Sequence, residues 1–330
     1  MSLQKAFVTG ASGFVGGHLC ERLRREGWHV RALVRGGSSK GILEACGCEF
    51  VEGDLTMTNV LARASEGCDA VFHVAGLTQS PNRAGFEESN EMGTSRVVLG
   101  LERSGFDGRF VYVSSLAAGG PAVAGRLRRE IDPDEPISFY GASKLAGERA
   151  ISARKRAFTS TIVRPGAIYG PRERGILQVF QGIADWGIAL RLGSGVKLQM
   201  THVDDVIEGI MRTLPKSERT PAIFYLTESR VWNYDELMRE VARQLGRRVR
   251  IIPVPVWVGG VIGHTADFLG RLKGHAISPI GMDKIREVKA GAWIADTSKL
   301  RDVTGWEPGI AFPEGLANTL EWAHKAGKIA

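Results

Sequence analysis

Tyr140 and Lys144 stand four residues apart in the stretch SFYGASKLAGE, residues 138–148. On a helix that spacing puts a phenol and an ammonium on one face, one turn apart, where both can act on the same small molecule. Two serines, Ser114 and Ser115, close the strand-like run RFVYVSS at 109–115. The stretch VTGASGFVGG sets Gly10, Gly13 and Gly16 between an apolar run and a helical pattern. Glycines at such a junction let a pyrophosphate approach the backbone at a helix N-terminus, so the cluster predicts a dinucleotide. Its G-x-x-G-x-x-G spacing is one residue longer than the common fingerprint. The competing reading is an ordinary glycine-rich turn, which the strand before and the helix after disfavour. With a dinucleotide in place, serine, tyrosine and lysine converge on hydride chemistry at a carbonyl or secondary alcohol, whose oxygen needs a proton partner. An unperturbed tyrosine, with a pKa of about 10, serves poorly at neutral pH, and a nearby ammonium lowers that value. Lys144 is therefore expected to tune Tyr140 and to bond the nicotinamide ribose, while Ser115 holds the substrate oxygen. An isolated Y-x-x-x-K pair would be read as an exposed helix surface.

These residues need a sheet to carry them. KAFVTG (5–10) is an apolar run ending in glycine, helical spacing follows until Gly27, and HVRALV (29–34) is a second strand. Further strands are expected at 49–52, 70–74, 109–114, 161–164 and 223–226, with helical segments between most of them. This alternation predicts an α/β fold, a doubly wound parallel sheet covered by helices on both faces. It lapses after Pro165, resumes at THVDDVIEGIMRTL (201–214) and lapses again after Thr227. The expected division is a nucleotide-binding Rossmann domain of residues 1–165 and 201–226, with a smaller, discontinuous substrate domain of 166–200 and 227–330. The second strand ends in Val34 and Arg35 without the acid that would bond a ribose 2′-hydroxyl. Arginine suits a 2′-phosphate, which favours NADP(H) over NAD(H), with Arg35 as the contact and Lys40 as a weaker helper. The plain alternative for Arg35 is a solvated loop charge.

Bulk properties narrow the class. A chain of 330 residues with 43% hydrophobic content can bury a large core. A formal charge of +7 favours anionic ligands, but no Lys/Arg block reads as a nucleic-acid arm. Cys20, Cys46, Cys48 and Cys68 all lie in the first quarter and suggest neither a disulfide framework nor a metal site. Cys46 and Cys48 are read as structural or incidental. The opening MSLQKAFVTG lacks a targeting pattern, and no run reaches the about 18 apolar residues of a membrane span, so the cytoplasm is the expected compartment. His202 and His264 form no coordination set, and HVDD reads as a helix start with Asp204 or Asp205 near its N-terminus.

Taken together, the motifs resemble the extended short-chain dehydrogenase/reductase family, the NAD-dependent epimerase/dehydratase superfamily. The resemblance rests on TGASGFVG, GDL (53–55), HVAG (73–76), NEMGT (90–94), YGASK, VRPGAIYGP (163–171), HVDDV (202–206) and DTSKLRDVTGWEP. It implies a seven-stranded Rossmann domain, a C-terminal substrate domain and homodimers. It further implies a cofactor loop of Gly10, Ser12, Gly13, Phe14, Val15 and Gly16, with Asp54 and Leu55 at the adenine. Ala75 and Gly76 would meet the cofactor's central portion, and Pro165, Gly166 and Ala167 the nicotinamide. Of the two serines, the family pattern selects Ser115 as catalytic, beside Tyr140 and Lys144. VRALVR is similar to the corresponding strand of NADPH-using dihydroflavonol reductase-like members.

Departures from the family pattern narrow the reaction. Sugar-nucleotide 4,6-dehydratases carry an Asp-Glu pair after the catalytic hydroxyl residue, whereas Leu116 and Ala117 follow Ser115. GVKLQMTHVDD offers Lys197 but no arginine for a diphosphate, leaving Arg172, Arg174 or Arg191 to serve. The apolar stretch 254–272 and Trp186 suggest a greasy pocket, with domain core or dimer surface as the plainer reading and peripheral membrane contact ranked below it. The expected activity is NADP(H)-dependent oxidoreduction of a carbonyl or secondary alcohol on a hydrophobic, sterol- or isoprenoid-like molecule. A sugar-nucleotide epimerase or reductase with tightly bound cofactor stands second, and a non-catalytic cofactor-sensing protein third.

Overall fold

The computed structural model describes residues 4–123, 126–153, 158–173, 175–214, 222–273 and 281–329. The first half alternates strands β1 (Lys5–Thr9), β2 (His29–Val34), β3 (Glu49–Glu52), β4 (Ala70–His73), β5 (Arg109–Val113) and β6 (Thr159–Pro165) with helices. Those helices are α1 (Phe14–Arg25), α2 (Gly41–Ala45), α3 (Thr58–Ser65), α4 (Arg83–Phe86), α5 (Gly93–Arg103), α6 (Leu116–Gly119) and α7 (Phe139–Ser152). A π-helical turn, Glu87–Met92, joins α4 to α5. Short strands β7 (Ala167–Tyr169), β8 (Ile188–Leu192), β9 (Lys197–Leu198) and β10 (Met200–His202), with helices α8 (Gly175–Trp186) and α9 (Val203–Thr213), lead to β11 (Ala222–Leu226). The rest comprises β12 (Trp232–Asn233), α10 (Tyr234–Gln244), β13 (Arg250–Val254), α11 (Val256–Lys273), α12 (Met282–Lys289), β14 (Ala292–Trp293), α13 (Ser298–Thr304) and α14 (Phe312–Lys325).

Seven strands form one parallel sheet in the order β11-β6-β5-β4-β1-β2-β3. Successive strand residues face opposite sides, so both faces need cover. In β1, Val8 joins Leu19, Leu23, Trp28, Val206 and Ile210 on one side, while Phe7 joins Leu61, Val71, Val97, Leu101 and Phe110 on the other. That double burial explains why these strands read as unbroken apolar runs. Order reverses between β1 and β4, which opens a crevice at the carboxyl ends of the strands. Leu300 and Trp306, late in the chain, pack into the same core as Val163 and Phe224.

A second apolar cluster contains Tyr169, Phe180, Trp232, Val241, Phe312, Leu316 and Leu320, from segments on both sides of β11. Helix α11 departs from the core packing expected of 254–272. It turns Gly259, Gly263 and Gly270 inward and leaves Trp257 at 73%, Phe268 at 61% and Leu272 at 70% exposure. A β-carbon at Gly259 would fall 2.5 Å from Leu192, and one at Gly263 would fall 2.6 Å from Ile285, so the inward face is glycine because the helix lies close. Trp186 is likewise 76% exposed. No helix among the described residues is long and apolar enough to cross a membrane.

Candidate active site

Strand β1 delivers the glycine cluster at the crevice. Gly10 takes a φ of +72°, and its carbonyl accepts the Gly13 N–H at 3.0 Å, closing a tight turn. A β-carbon at Gly10 would sit 2.5 Å from the Ala75 nitrogen, and one at Gly16 would overlap the Gly10 carbonyl. The glycines therefore draw β1, α1 and the end of β4 together, with Ser12 and Gly13 exposed at the mouth. Gly13 caps α1 without a side-chain bond, and no acid lies in the first turn. The N–H groups of Phe14, Val15 and Gly16 thus present the positive end of α1, an arrangement that fits a pyrophosphate. Arg35 is exposed just beyond β2, close enough to Asp54 to help lower its pKa, although the Thr56 bonds do more. Lys40 lies over the Phe50 ring, 5.4 Å from its centroid. Leu55 packs where a Gly93 side chain would be. Pro165, Gly166 and Ala167 lie where β6 passes into β7, and Gly166 donates to Leu226 O at 3.2 Å.

Strand β5 and helix α7 assemble the other half. Ser115 caps α6, its hydroxyl accepting the Ala117 N–H at 3.1 Å. It also lies near enough to the Tyr140 phenol to pull the phenol's pKa down. Ser114 is committed elsewhere: it donates to Glu148 at 2.5 Å. Lys144 is 4% exposed and donates to Val113 O at 2.9 Å. Burial pushes its pKa down to about 8. The expectation that Lys144 depresses the Tyr140 pKa is not met. Burial pushes the phenol up to about 12, the nearby Ser115 hydroxyl counters it, and the Glu287 carboxylate adds to the rise. Desolvation of the phenolate is the largest cause, and the Lys144 ammonium is bonded to a backbone carbonyl instead.

Several supporting groups carried no assigned role in the sequence. Asn90, fully buried in the π-helical turn, accepts the Leu77 N–H at 2.8 Å and donates to Ser143 on α7 at 2.9 Å. It thereby ties the loop after β4 to the helix of Tyr140, and NEMGT was its only signal. Asp283 on α12 accepts the backbone N–H groups of Phe139 and Tyr140 at 2.6 and 2.9 Å. Ser138, which caps α7, donates to Glu287 at 2.9 Å. Neither acid lies in a recognisable motif; only folding brings α12 to α7. Arg164 is 1% exposed and pairs with Glu148 at 2.5 Å and Asp134 at 2.7 Å, fixing β6 to α7. Arg172 pairs with Glu21 at 2.6 Å and Arg191 with Asp235 at 2.8 Å, so both candidate diphosphate clamps are engaged within the protein. Arg174 lies outside the described residues.

Comparisons with known proteins establish the family. The profile of the NAD dependent epimerase/dehydratase family matches residues 6–226. A ceramide reductase of Caulobacter vibrioides is 30% identical over 97% of this chain and 94% of its own length. A 4-hydroxy-2-methyl-3-oxo-4-farnesyl-3,4-dihydroquinoline-1-oxide ketoreductase of Stigmatella aurantiaca is 28% identical over 81% of each chain. Among solved structures, MoeE5 in complex with UDP-glucuronic acid and NAD superposes with a TM-score of 0.78 at 25% identity, covering 98% of this chain and 99% of that one. With its seven-stranded Rossmann sheet and its glycine turn, the chain belongs to the NAD-dependent epimerase/dehydratase family and is an NAD(P)-dependent enzyme of the extended short-chain type.

Proposed function

We propose that this protein is an NADPH-dependent reductase acting on a ketone of a lipid-like molecule. The observation that carries the reading is the closeness of the Ser115 hydroxyl to a Tyr140 phenol whose pKa burial pushes up to about 12. Two hydroxyls then face one substrate oxygen: Tyr140 donates the proton as charge develops there, and Ser115 holds the oxygen in place. Lys144 lies one turn along α7 to take the nicotinamide ribose, and Arg35 stands at the end of β2 for the 2′-phosphate. The dinucleotide, when bound, supplies the hydride. Buried Leu116 and Ala117 follow Ser115 where a dehydratase needs acids, which disfavours elimination. The exposed apolar face of α11 supports a greasy substrate, since Arg271 on that helix donates to Pro81 O at 3.2 Å, in the loop that follows β4. The similarity to a ceramide reductase and to a ketoreductase of a farnesylated ring points the same way.

The direct test is NADPH oxidation with a ceramide-type amide bearing a ketone, beside short ketones and NADH. Turnover of the long-chain ketone is expected, falling by about 10²–10⁴-fold in Tyr140→Phe. Full activity in that variant would remove Tyr140 from the mechanism. The likeness to MoeE5 favours a second reading, a sugar-nucleotide epimerase; NAD retained through purification, with UDP-sugar interconversion and no ketone reduction, would put it first.

A further inference from the structure

Three thiols gather where α1, the end of α2 and the start of β3 come together. Cys46 ends α2, Gly47 follows with a φ of +71°, and Cys48 leads into β3. The Cys48 N–H bonds Leu43 O at 2.9 Å and the Gly47 N–H bonds Glu44 O at 3.0 Å. This glycine-terminated helix end folds the chain back so that the Cys46 and Cys48 sulfurs lie 3.5 Å apart. Cys20, buried on α1, lies beside Cys48 and feels its charge. Arg24 crosses over the group and donates to Cys46 O at 2.9 Å. Cys46 also lines a surface cleft of about 560 Å³ with His18, Glu21, Arg24, Arg25 and Asp204, and both Cys46 and Cys48 are partly exposed.

We propose that Cys46 and Cys48 form a thiol–disulfide exchange site that accepts low-molecular-weight disulfides, with Cys48 as the attacking sulfur and Cys46 as the resolving one. The Cys48 thiolate attacks one sulfur of a disulfide RSSR, forming a mixed disulfide and releasing one RS⁻, which takes up the proton Cys48 gave up. Cys46, deprotonated as it attacks, displaces the second RS⁻ from Cys48 and closes the Cys46–Cys48 bond. In total, two protein thiols are oxidised and one RSSR is reduced to two RSH. Cys48 suits the first step because the Cys46 sulfur 3.5 Å away and the Arg24 guanidinium, anchored on Cys46 O at 2.9 Å, favour its thiolate. Capping Cys48 removes the charge that holds the Cys46 proton, which frees Cys46 to attack. The assignment is independent of the reductase reading.

The test uses the folded full-length protein and oxidised glutathione, followed by denaturing alkylation and tryptic mass mapping. Cleavage after Lys40 and Arg63 leaves Cys46 and Cys48 on one peptide, apart from Cys20 and Cys68. Wild type is expected to lose both alkylations on that peptide without retaining glutathione, and Cys48→Ser to keep its Cys46 alkylated. Buried Cys68 is expected to stay reduced throughout. Complete alkylation of wild type under oxidised glutathione overturns the site. Glutathione held on Cys46 with Cys48 free overturns the attacking assignment, and a Cys20–Cys48 link overturns the resolving one.

Discussion

Tyr140 and Lys144 have opposite environments in the protonation sense that matters. The phenol, pushed up to about 12, stays protonated throughout the neutral range and is poised to donate. Lys144, pushed down to about 8 from 10.5, binds fewer protons folded than unfolded between those values. The unfolded state holds more protons in that window, so the Lys144 contribution to stability rises with pH from about 8 to 10.5, and below 8 the full cost of burying the ammonium is present. Urea titrations of ligand-free protein at intervals across that window are expected to show this gain in wild type and its absence in Lys144→Met. Arg35→Ala should weaken NADPH binding about tenfold or more while sparing NADH, as expected for loss of one charge-assisted contact of about 1.5–3 kcal/mol. Calorimetry with both cofactors measures it, and equal losses for both would assign Arg35 to general electrostatics.

Helix α7 is held at its start by α12, distant in sequence, and along its second half by β6, the next element in the chain. Arg164 on β6 clamps Glu148 near its C-terminal half, and Asp283 on α12 covers two N–H groups at its start. A carboxylate at a helix N-terminus satisfies orphan donors and meets the positive end of the dipole. Asp283→Ala should cost about 1–2 kcal/mol of stability, the usual loss for removing such a cap. Because Tyr140 N–H is one of the two donors, kcat should fall more than KM rises. Chemical denaturation with steady-state kinetics separates the effects, and a variant with reduced stability but unchanged kcat would make the contact purely structural.

For the whole molecule, acid sensitivity should trace in part to the sheet interior. His73 is fully buried, bonds Thr9 at 2.7 Å and Thr94 at 3.0 Å, and burial pushes its pKa down from 6.5 to about 3. Between those values the unfolded chain binds the extra proton, so stability falls as pH drops from about 6.5 toward 3. His73→Asn should flatten that part of the stability curve, read from thermal midpoints at successive pH values. The strands of the sheet were legible along the chain because parallel strands buried on both faces leave continuous apolar runs; β2 and β3 match their expected limits, and the other five do so within two residues. The glycine turn was legible because Gly10 and Gly16 allow no side chain where backbone meets backbone. The pairing of Ser115 with Tyr140 could be proposed only from whole motifs, since they lie 25 positions apart in the chain. Tertiary structure alone decided the rest. It brought Asp283 and Glu287 to α7, engaged Arg172 and Arg191 in ion pairs, and turned the aromatic side of α11 outward. It also reversed the expected shift of Tyr140. Local pattern fixes which face of a segment is apolar and where the chain must bend; pairing and desolvation depend on what other segments bring, and one stretch of sequence carries no record of that.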